Sequence, residues 1–506
     1  MRFGCGTRYL AGKDLRGQRA SPTGRPAIAS RFTERRCALS SSRPVVPESQ
    51  SHLITGWSAL SEAQRSRLTN QLAAIDWPLI ETLVGEMRSP ATTEGEPLAA
   101  RARRARVPGH LVRLAELRNA ASARATGESL LRQGQVGVIL VAGGQGTRLG
   151  FDHPKGLYPI SPVRGTTLFQ LFAEQLLALE ARYGRPVPWY IMTSDATHAE
   201  TVAAFAEKRW FGLREENVRF FQQGLLPALD RETGRVLMSA CDSLALSPDG
   251  HGGLVNALGR TGLIDDMERR GITTLYYHQV DNPLAFVADP LTIGLHVERG
   301  ADVTTKVVAK LNAAEKVGLL ADLDGRTEVI EYSDFPPDLA AETLPDGSLR
   351  FWAGNTAMHV FSQAFLRQLV DGAASLPWHR AIKKVPYWNG ERLVQPTAEN
   401  AVKFERFIFD ALPAARLALV VETDRDEEFT PLKNATGDFS PDHVRRAITA
   451  RARSWLSRAG VPLPAAATTP VEIDARLALT GEELIAHARR ARVEPRADGC
   501  WITTTD

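Results

Sequence analysis

Apolar and polar positions along the middle of the chain follow two alternating periods. Short, nearly unbroken apolar runs at 136–142, 187–193, 218–221, 274–280 and 303–309 predict buried strands. Between them the period lengthens to that of a helix. Thr167-Leu168-Phe169-Gln170 caps an amphipathic stretch reaching Leu179, and Leu263 to Arg270 reads as another. Strand and helix in turn predict an α/β domain over 131–440, its mostly parallel sheet covered by helices on both faces. Upstream, 51–130 reads as helical, with a capping box at Ser61-Glu62-Ala63-Gln64 and Leu68, Leu72 and Ile75 on one face. Downstream, Ser440 caps a helix with Pro441 in its first turn and Gly460 just past its end. A Pro/Ala/Thr linker at 462–470, a short strand and a short helix complete a small C-terminal domain, 441–506.

The first strand of the α/β part, Val138 to Ala142, runs into Gly143-Gly144-Gln145-Gly146-Thr147-Arg148-Leu149-Gly150. Pro154-Lys155-Gly156 follow after three more residues. The glycines are expected to turn the backbone at φ > 0, and a side-chain-free loop at a strand end brings N–H groups close to an anion. Arg148 and Lys155 add two positive charges beside it. No Lys-Ser or Lys-Thr closes the run, so it is not a P-loop. It does not fit the dinucleotide fingerprint either, because Leu149 stands where the third glycine belongs. What remains is a cradle for a polyphosphate.

Composition narrows the setting. The 506 residues are 43% apolar and 24% charged, ordinary values for globular proteins, and suffice for two or three domains. A formal net charge of +3 gives no argument for nucleic acid, and no run of 18 apolar residues suggests a membrane span. Cys5, Cys37, Cys241 and Cys500 lie far apart, which argues against a disulfide framework or zinc site and fits a reducing, cytoplasmic setting. Residues 1–50 hold eight Arg and one Lys before position 40 against Asp14 and Glu34. A transit peptide has that look; composition favours a disordered or leader extension. The basic run Arg101, Arg103, Arg104 and Arg106 reads as a solvated face rather than an anion site.

The glycine run with its Pro-Lys-Gly sequel resembles the nucleotide-binding signature of the eukaryotic-type UDP-sugar pyrophosphorylases, and most of all their UDP-N-acetylglucosamine branch. The similarity recurs in blocks from Trp57 to Ala435. It implies a Rossmann-like nucleotidyltransferase core that joins UTP to a sugar 1-phosphate, releasing pyrophosphate. Such a reaction asks little of a general base, since the attacking phosphate is already ionised near neutral pH, its second pKa being about 6. It asks for cations and one hard metal ion around the α-phosphate and leaving group.

The resemblance assigns roles accordingly. Val141, Ala142, Gly143, Gly144 and Lys155 would line the nucleotide, with Gln223 and Gly250 at the uridine. Asp281, in Val280-Asp281-Asn282, would hold Mg²⁺ and touch the nucleotide; read alone it is equally an Asx-turn before Pro283. Lys403 would bind phosphate, and Lys433, in Thr430-Pro431-Leu432-Lys433-Asn434, the sugar phosphate. Arg148, Lys155 and Lys433 would be the catalytic cations. His251, Glu331, Tyr332 and Asn355 would face the sugar. At one point the chain departs from the pattern. The N-acetylglucosamine enzymes usually read Asn where this chain has His251, while UDP-glucose enzymes carry Gly-His-Gly at a similar turn. Glucose or galactose 1-phosphate is therefore the alternative substrate, and a non-catalytic nucleotide-sugar binder a more distant one.

Overall fold

The computed structural model describes residues 43–88, 98–117, 120–372, 375–462, 466 and 468–505. Residues 1–42 of the leader segment and part of the 462–470 linker lie outside these. Ten strands make up the central sheet: β1 (Leu111–Val112), β2 (Val136–Val141), β3 (Trp189–Thr193), β4 (Val218–Gln222), β5 (Thr274–Gln279), β6 (Val303–Ala309), β7 (Leu319–Leu323), β8 (Arg326–Ile330), β9 (Ala353–Ser362) and β10 (Ala418–Glu422). Their order is β1-β10-β6-β9-β5-β2-β3-β4, with the hairpin β7-β8 attached to β9. All neighbours along that path run parallel except β9, which is antiparallel to both β6 and β5.

Strict alternation explains why the sheet is covered twice. Val138 and Leu140 of β2, with Trp189 and Ile191 of β3, pack with Phe169, Phe172 and Leu176 from helix Leu168–Tyr183. Ile139, Tyr190 and Met192, one residue out of step, pack on the opposite face with Leu254, Leu258, Ile264 and Met267 from helices Leu254–Thr261 and Leu263–Arg269. The predicted caps are in place: the Thr167 hydroxyl accepts from Gln170 N at 3.2 Å, and Ser61 and Gln64 bond reciprocally.

The flanking segments attach in ways their own patterns do not announce. Helices Glu62–Ala73 and Trp77–Arg88 pack on a separate three-stranded sheet, Leu229–Asp230, His379–Lys383 and Ala401–Glu405, through Leu229, Val402 and Phe404. Residues 43–50, grouped with the leader by composition, belong to this part. Buried Gln50 donates to Gly234 O and accepts from Val236 N. Helix Pro441–Ala459 serves two cores: Val444 and Ile448 join the sheet, while Ala452, Trp455 and Leu456 join the C-terminal strands. Arg101, Arg103 and Arg104 form ion pairs with Glu328, Asp338 and Asp324, so this run is occupied on the surface. Among the described residues no helix is long and apolar enough to cross a membrane.

Helices Ala121–Gln133 and Pro290–Glu298 touch backbone to backbone, and a Cβ at Gly294 would lie 1.6 Å from Ala123 O. Gly294→Ala should therefore force the helices apart and destabilise the fold by about 2 kcal/mol or more. Gly85→Ala, in a helix with nothing within 4 Å of the new methyl, should stabilise by roughly 0.5–1 kcal/mol. Urea unfolding of the two variants tests this; equal midpoints would contradict it.

Candidate active site

Strand β2 ends in the middle of the sheet. From there the chain goes on to β3 and β4 on one side, while β5 and the later strands lie on the other. This is the point at which a doubly wound sheet opens a crevice at its carboxyl ends. Val280 N donates to Val141 O at 3.0 Å and Ala142 N to Met192 O at 2.7 Å, so the last rungs of the ladder clamp the start of the loop. Beyond it the loop folds on itself: Gly146 N donates to His153 O, and Lys155 N to Gly144 O at 3.0 Å. The amides of Gly143, Gly144 and Gln145 have no acceptor among the described residues. They form a short row of free donors.

The glycines work differently from the expectation of positive φ. Within the run only Gly150 adopts it, at φ 69°, closing the turn Thr147–Leu149. Gly143 and Gly146 are needed for space instead. A Cβ on Gly143 would lie 2.4 Å from Gln223 Oε1, and one on Gly146 2.7 Å from the Phe151 ring. Gly144 has open space where a side chain would be. The close approach of Gln223 places a buried side-chain amide beside the loop, while its backbone N–H donates to Thr193 O at 2.9 Å. Ser194 Oγ donates to Gly143 O at 2.7 Å and fixes the loop from β3.

Three distant motifs meet at the end of β5. Leu432 N donates to Asp281 O at 2.7 Å. The Asn282 side chain uses both ends of its amide: Nδ2 donates to Glu428 O at 2.7 Å, and Oδ1 accepts from Thr430 N at 3.1 Å. Lys155 Nζ reaches Leu432 O at 3.4 Å. The segment that carries Lys433 is thus tied to Asp281 and to Lys155. This role of Asn282 depends on partners about 150 positions away and carries no local sequence signal.

Behind the segment stands a buried ion triad. Lys306 is 2% exposed, and its Nζ donates to Asp289 Oδ2 at 2.9 Å and to Glu428 Oε2 at 2.6 Å. Burial alone would lower the lysine's pKa; the two carboxylates more than reverse that and raise it. Asp289 also caps helix Pro290–Glu298, and Glu428 accepts from the Thr423 hydroxyl, so every charge is satisfied. A lysine in the middle of an apolar strand was the visible signal for this.

The other side of the crevice is built on residues 404–410. Gly250, at φ 84°, sits against Arg406, whose carbonyl would lie 2.4 Å from a Cβ there and accepts from Gly252 N at 2.8 Å. Lys403 and Glu405 share a strand face on this side; Lys403 is half-buried and has no hydrogen-bond partner among the described residues. Asp249, between Gly224 and Gly253, is pushed up to about 6 by burial. His251 Nδ1 accepts from Ile408 N at 3.1 Å, which leaves its Nε2 as the proton-bearing donor. Burial and then the neighbouring His379 lower its pKa to about 4, so the ring is neutral at physiological pH.

Glu331 follows β8 and is half-buried. Burial first, then Asp334, raises its pKa, against the opposing pull of His379 and Lys433. A Cβ on Gly318 would lie 3.3 Å from Glu331 Oε1, and Asn355 N donates to Gly318 O at 2.7 Å, so Asn355 adjoins the same corner. The Asn355 Oδ1 accepts from Ala357 N in its own turn. Tyr332 is 48% exposed, and Lys433 and Arg148 are exposed, their side chains without a hydrogen-bond partner among the described residues.

A divalent ion fits the chemistry of Asp281. Its carboxylate is half-buried and accepts no hydrogen bond from the described residues, while its carbonyl is fixed by Leu432. Among the described residues no cluster of three or more His, Cys, Asp or Glu could form an all-protein metal cage. One hard carboxylate completed by phosphate oxygens and water is the arrangement Mg²⁺ accepts.

Comparison with known proteins accords with this geometry. Residues 95–447 match the family model described as UTP–glucose-1-phosphate uridylyltransferase. The chain is 38% identical to human UDP-N-acetylhexosamine pyrophosphorylase-like protein 1, over 81% of this chain and 84% of that one. It is 40% identical to the UDP-N-acetylglucosamine pyrophosphorylase of Saccharomyces cerevisiae, over 71% and 77% of the two chains. The crystal structure of the Trypanosoma brucei uridine diphosphate N-acetylglucosamine pyrophosphorylase, solved with an inhibitor, superposes with a TM-score of 0.75 at 26% identity, covering 93% of this chain and 96% of that one. With the sheet, the bare loop and the converging motifs in agreement, the chain belongs to the UTP–glucose-1-phosphate uridylyltransferase family, the UDP-sugar pyrophosphorylases.

Proposed function

We propose that the protein joins UTP to N-acetylglucosamine 1-phosphate in a Mg²⁺-dependent, reversible reaction that yields UDP-N-acetylglucosamine and pyrophosphate. The observation that carries the reading is the row of free amides at Gly143, Gly144 and Gln145, at the end of a buried strand with Lys155 beside it. In this reading those amides, Arg148 and Lys155 bind the triphosphate and offset charge on the α-phosphate and leaving pyrophosphate. Lys155 leaves the Leu432 carbonyl for a phosphate oxygen. Gln223 and the Gly250 turn bind the uridine, the amide pairing with the uracil edge. Lys403 and Lys433 bind phosphate, Lys433 on the sugar side, where a sugar phosphate oxygen attacks the α-phosphorus in line with the departing pyrophosphate. Glu331, Tyr332 and Asn355 receive sugar hydroxyls or the N-acetyl group. Mg²⁺ at Asp281 supplies charge neutralisation across the phosphates.

The sugar follows the names of the curated relatives. Glucose 1-phosphate is the second reading, favoured by His251, whose neutral ring offers one N–H donor. A cytoplasmic setting, with Cys241 and Cys500 as free thiols, completes the proposal.

Pyrophosphate release from UTP and Mg²⁺ with each sugar 1-phosphate in turn should be fastest with N-acetylglucosamine 1-phosphate. Faster release with glucose 1-phosphate would select the second reading, and no release with any sugar would end both. Lys155→Ala or Arg148→Ala should lose at least ~10²-fold in turnover, the scale for removing one preorganised charge stabiliser. Wild-type turnover in either variant removes that residue from the mechanism. Asp281→Asn should lower turnover and raise the Mg²⁺ needed for half-maximal rate; an unchanged Mg²⁺ requirement would place the ion elsewhere.

A further inference from the structure

Outside the roles assigned above, one titratable pair lies against the proposed sugar side. His379 opens the strand His379–Lys383 and pairs in register with Glu405. Its Nε2 lies 2.8 Å from Asp410 Oδ2. Its ring packs on Phe407, centroids 4.5 Å apart, and Phe407 in turn stacks on His251 at 5.2 Å with the planes 26° apart. Asp410 sits in the turn that follows Phe407, its N–H bonded to Phe407 O. Segment 406–410 is therefore gripped from two directions. The 250–253 turn holds it through Gly252 N to Arg406 O and Ile408 N to His251 Nδ1, and His379 holds it through Phe407 and Asp410.

We propose that His379 is a positioning residue for the sugar phosphate: its grip on Phe407 and Asp410 holds segment 406–410 so that His251 keeps its Nε2–H turned to the sugar. The inference rests on reading His251 as a contact of the sugar, the role in which its single N–H donor favours the glucose 1-phosphate reading.

The side chain of His379 is 41% exposed and joins none of the buried clusters, so its removal leaves no cavity. Its effect comes through geometry and charge. The groups that face it are the carboxylates of Asp410, Glu331 and Asp334 and the neutral ring of His251. Burial alone would lower its pKa, but the Asp410 hydrogen bond and the three carboxylates raise it above 6.5. The sign follows. Below that raised pKa the imidazolium–carboxylate bond is charge-assisted, and the grip is strongest. As pH rises through it the proton leaves and the grip weakens. The nearby His379 charge also helps keep His251 neutral, hence a donor through Nε2 alone.

The test compares KM for the sugar 1-phosphate and KM for UTP in the wild type, His379→Ala and His379→Gln at pH 6 and pH 8.5. The substrate's own phosphate ionisation, pKa about 6, is common to all three enzymes and cancels in ratios at each pH. A lost charge-assisted hydrogen bond predicts a sugar phosphate KM about tenfold higher in the Ala variant than in the wild type at pH 6, shrinking to about threefold or less at pH 8.5. His379→Gln, which keeps a donor for Asp410 but carries no charge, should recover the neutral part of the loss, about threefold, at both pH values. KM for UTP should stay within about twofold, because the Arg406–Gly252 bond and the Arg406 stack on Trp378 do not involve His379. Equal sugar phosphate KM values at pH 6 would overturn the proposal. So would a UTP KM that moves in step, or a loss that is the same at both pH values and not rescued by Gln. A wild type inactive with every sugar phosphate would remove the site reading itself, a different failure from an active enzyme indifferent to position 379.

Discussion

The site depends on residues 428–432 being held against the end of strand β5. Two highly charged substrates repel each other, and the cations proposed to draw them together lie at positions 148, 155, 403 and 433. Such a set is useful only if the protein fixes it before the substrates arrive, since cations that must be gathered during binding return less to the reaction. The Asn282 side chain does most of this by bonding a carbonyl with one end and an amide with the other, at Glu428 and Thr430. The Leu432 amide on Asp281 O sets the spacing between the acid proposed for Mg²⁺ and the lysine that follows.

The buried triad gives that segment its rigidity. Placing Lys306 among apolar neighbours costs several kcal/mol unless the charge is matched, and Asp289 and Glu428 match it with close contacts. Because Glu428 binds Lys306 with its side chain and Asn282 with its backbone, strand β6 and the loop after β5 cannot shift independently. Asp289 extends the same chain of contacts into helix Pro290–Glu298, whose Gly294 rests on the backbone of the helix before β2. The sheet, the triad and the cradle form one connected support.

Much of this was legible in the sequence, and the limits have physical causes. An unbroken apolar run such as Val138, Ile139, Leu140 gives away a strand covered on both faces, because successive side chains enter different cores. Caps at Thr167, Ser61 and Ser440 act within four residues and are equally readable. Strand β9 was missed, since polar Asn355 and Thr356 break its pattern and Ala357 sits at φ 57° in an irregular stretch. The bare loop at the strand end was legible, but the role of its glycines was not. Whether a glycine serves by φ or by space depends on a side chain 80 positions away, and Gln223 against Gly143 is visible only in three dimensions. The clamp by Asn282 and the pairing of His379 with Asp410 are long-range in the same way, and no local period carries them.

The central claim is that a bare strand end, flanked by Lys155 and Asp281, grips the polyphosphate of a uridine nucleotide. A crystal structure of the protein with UTP and Mg²⁺ tests it most directly. The account predicts phosphate oxygens on the amides of Gly143 to Gln145, uracil at Gln223 and the metal on Asp281. A nucleotide bound elsewhere, with those amides facing only solvent, would contradict it.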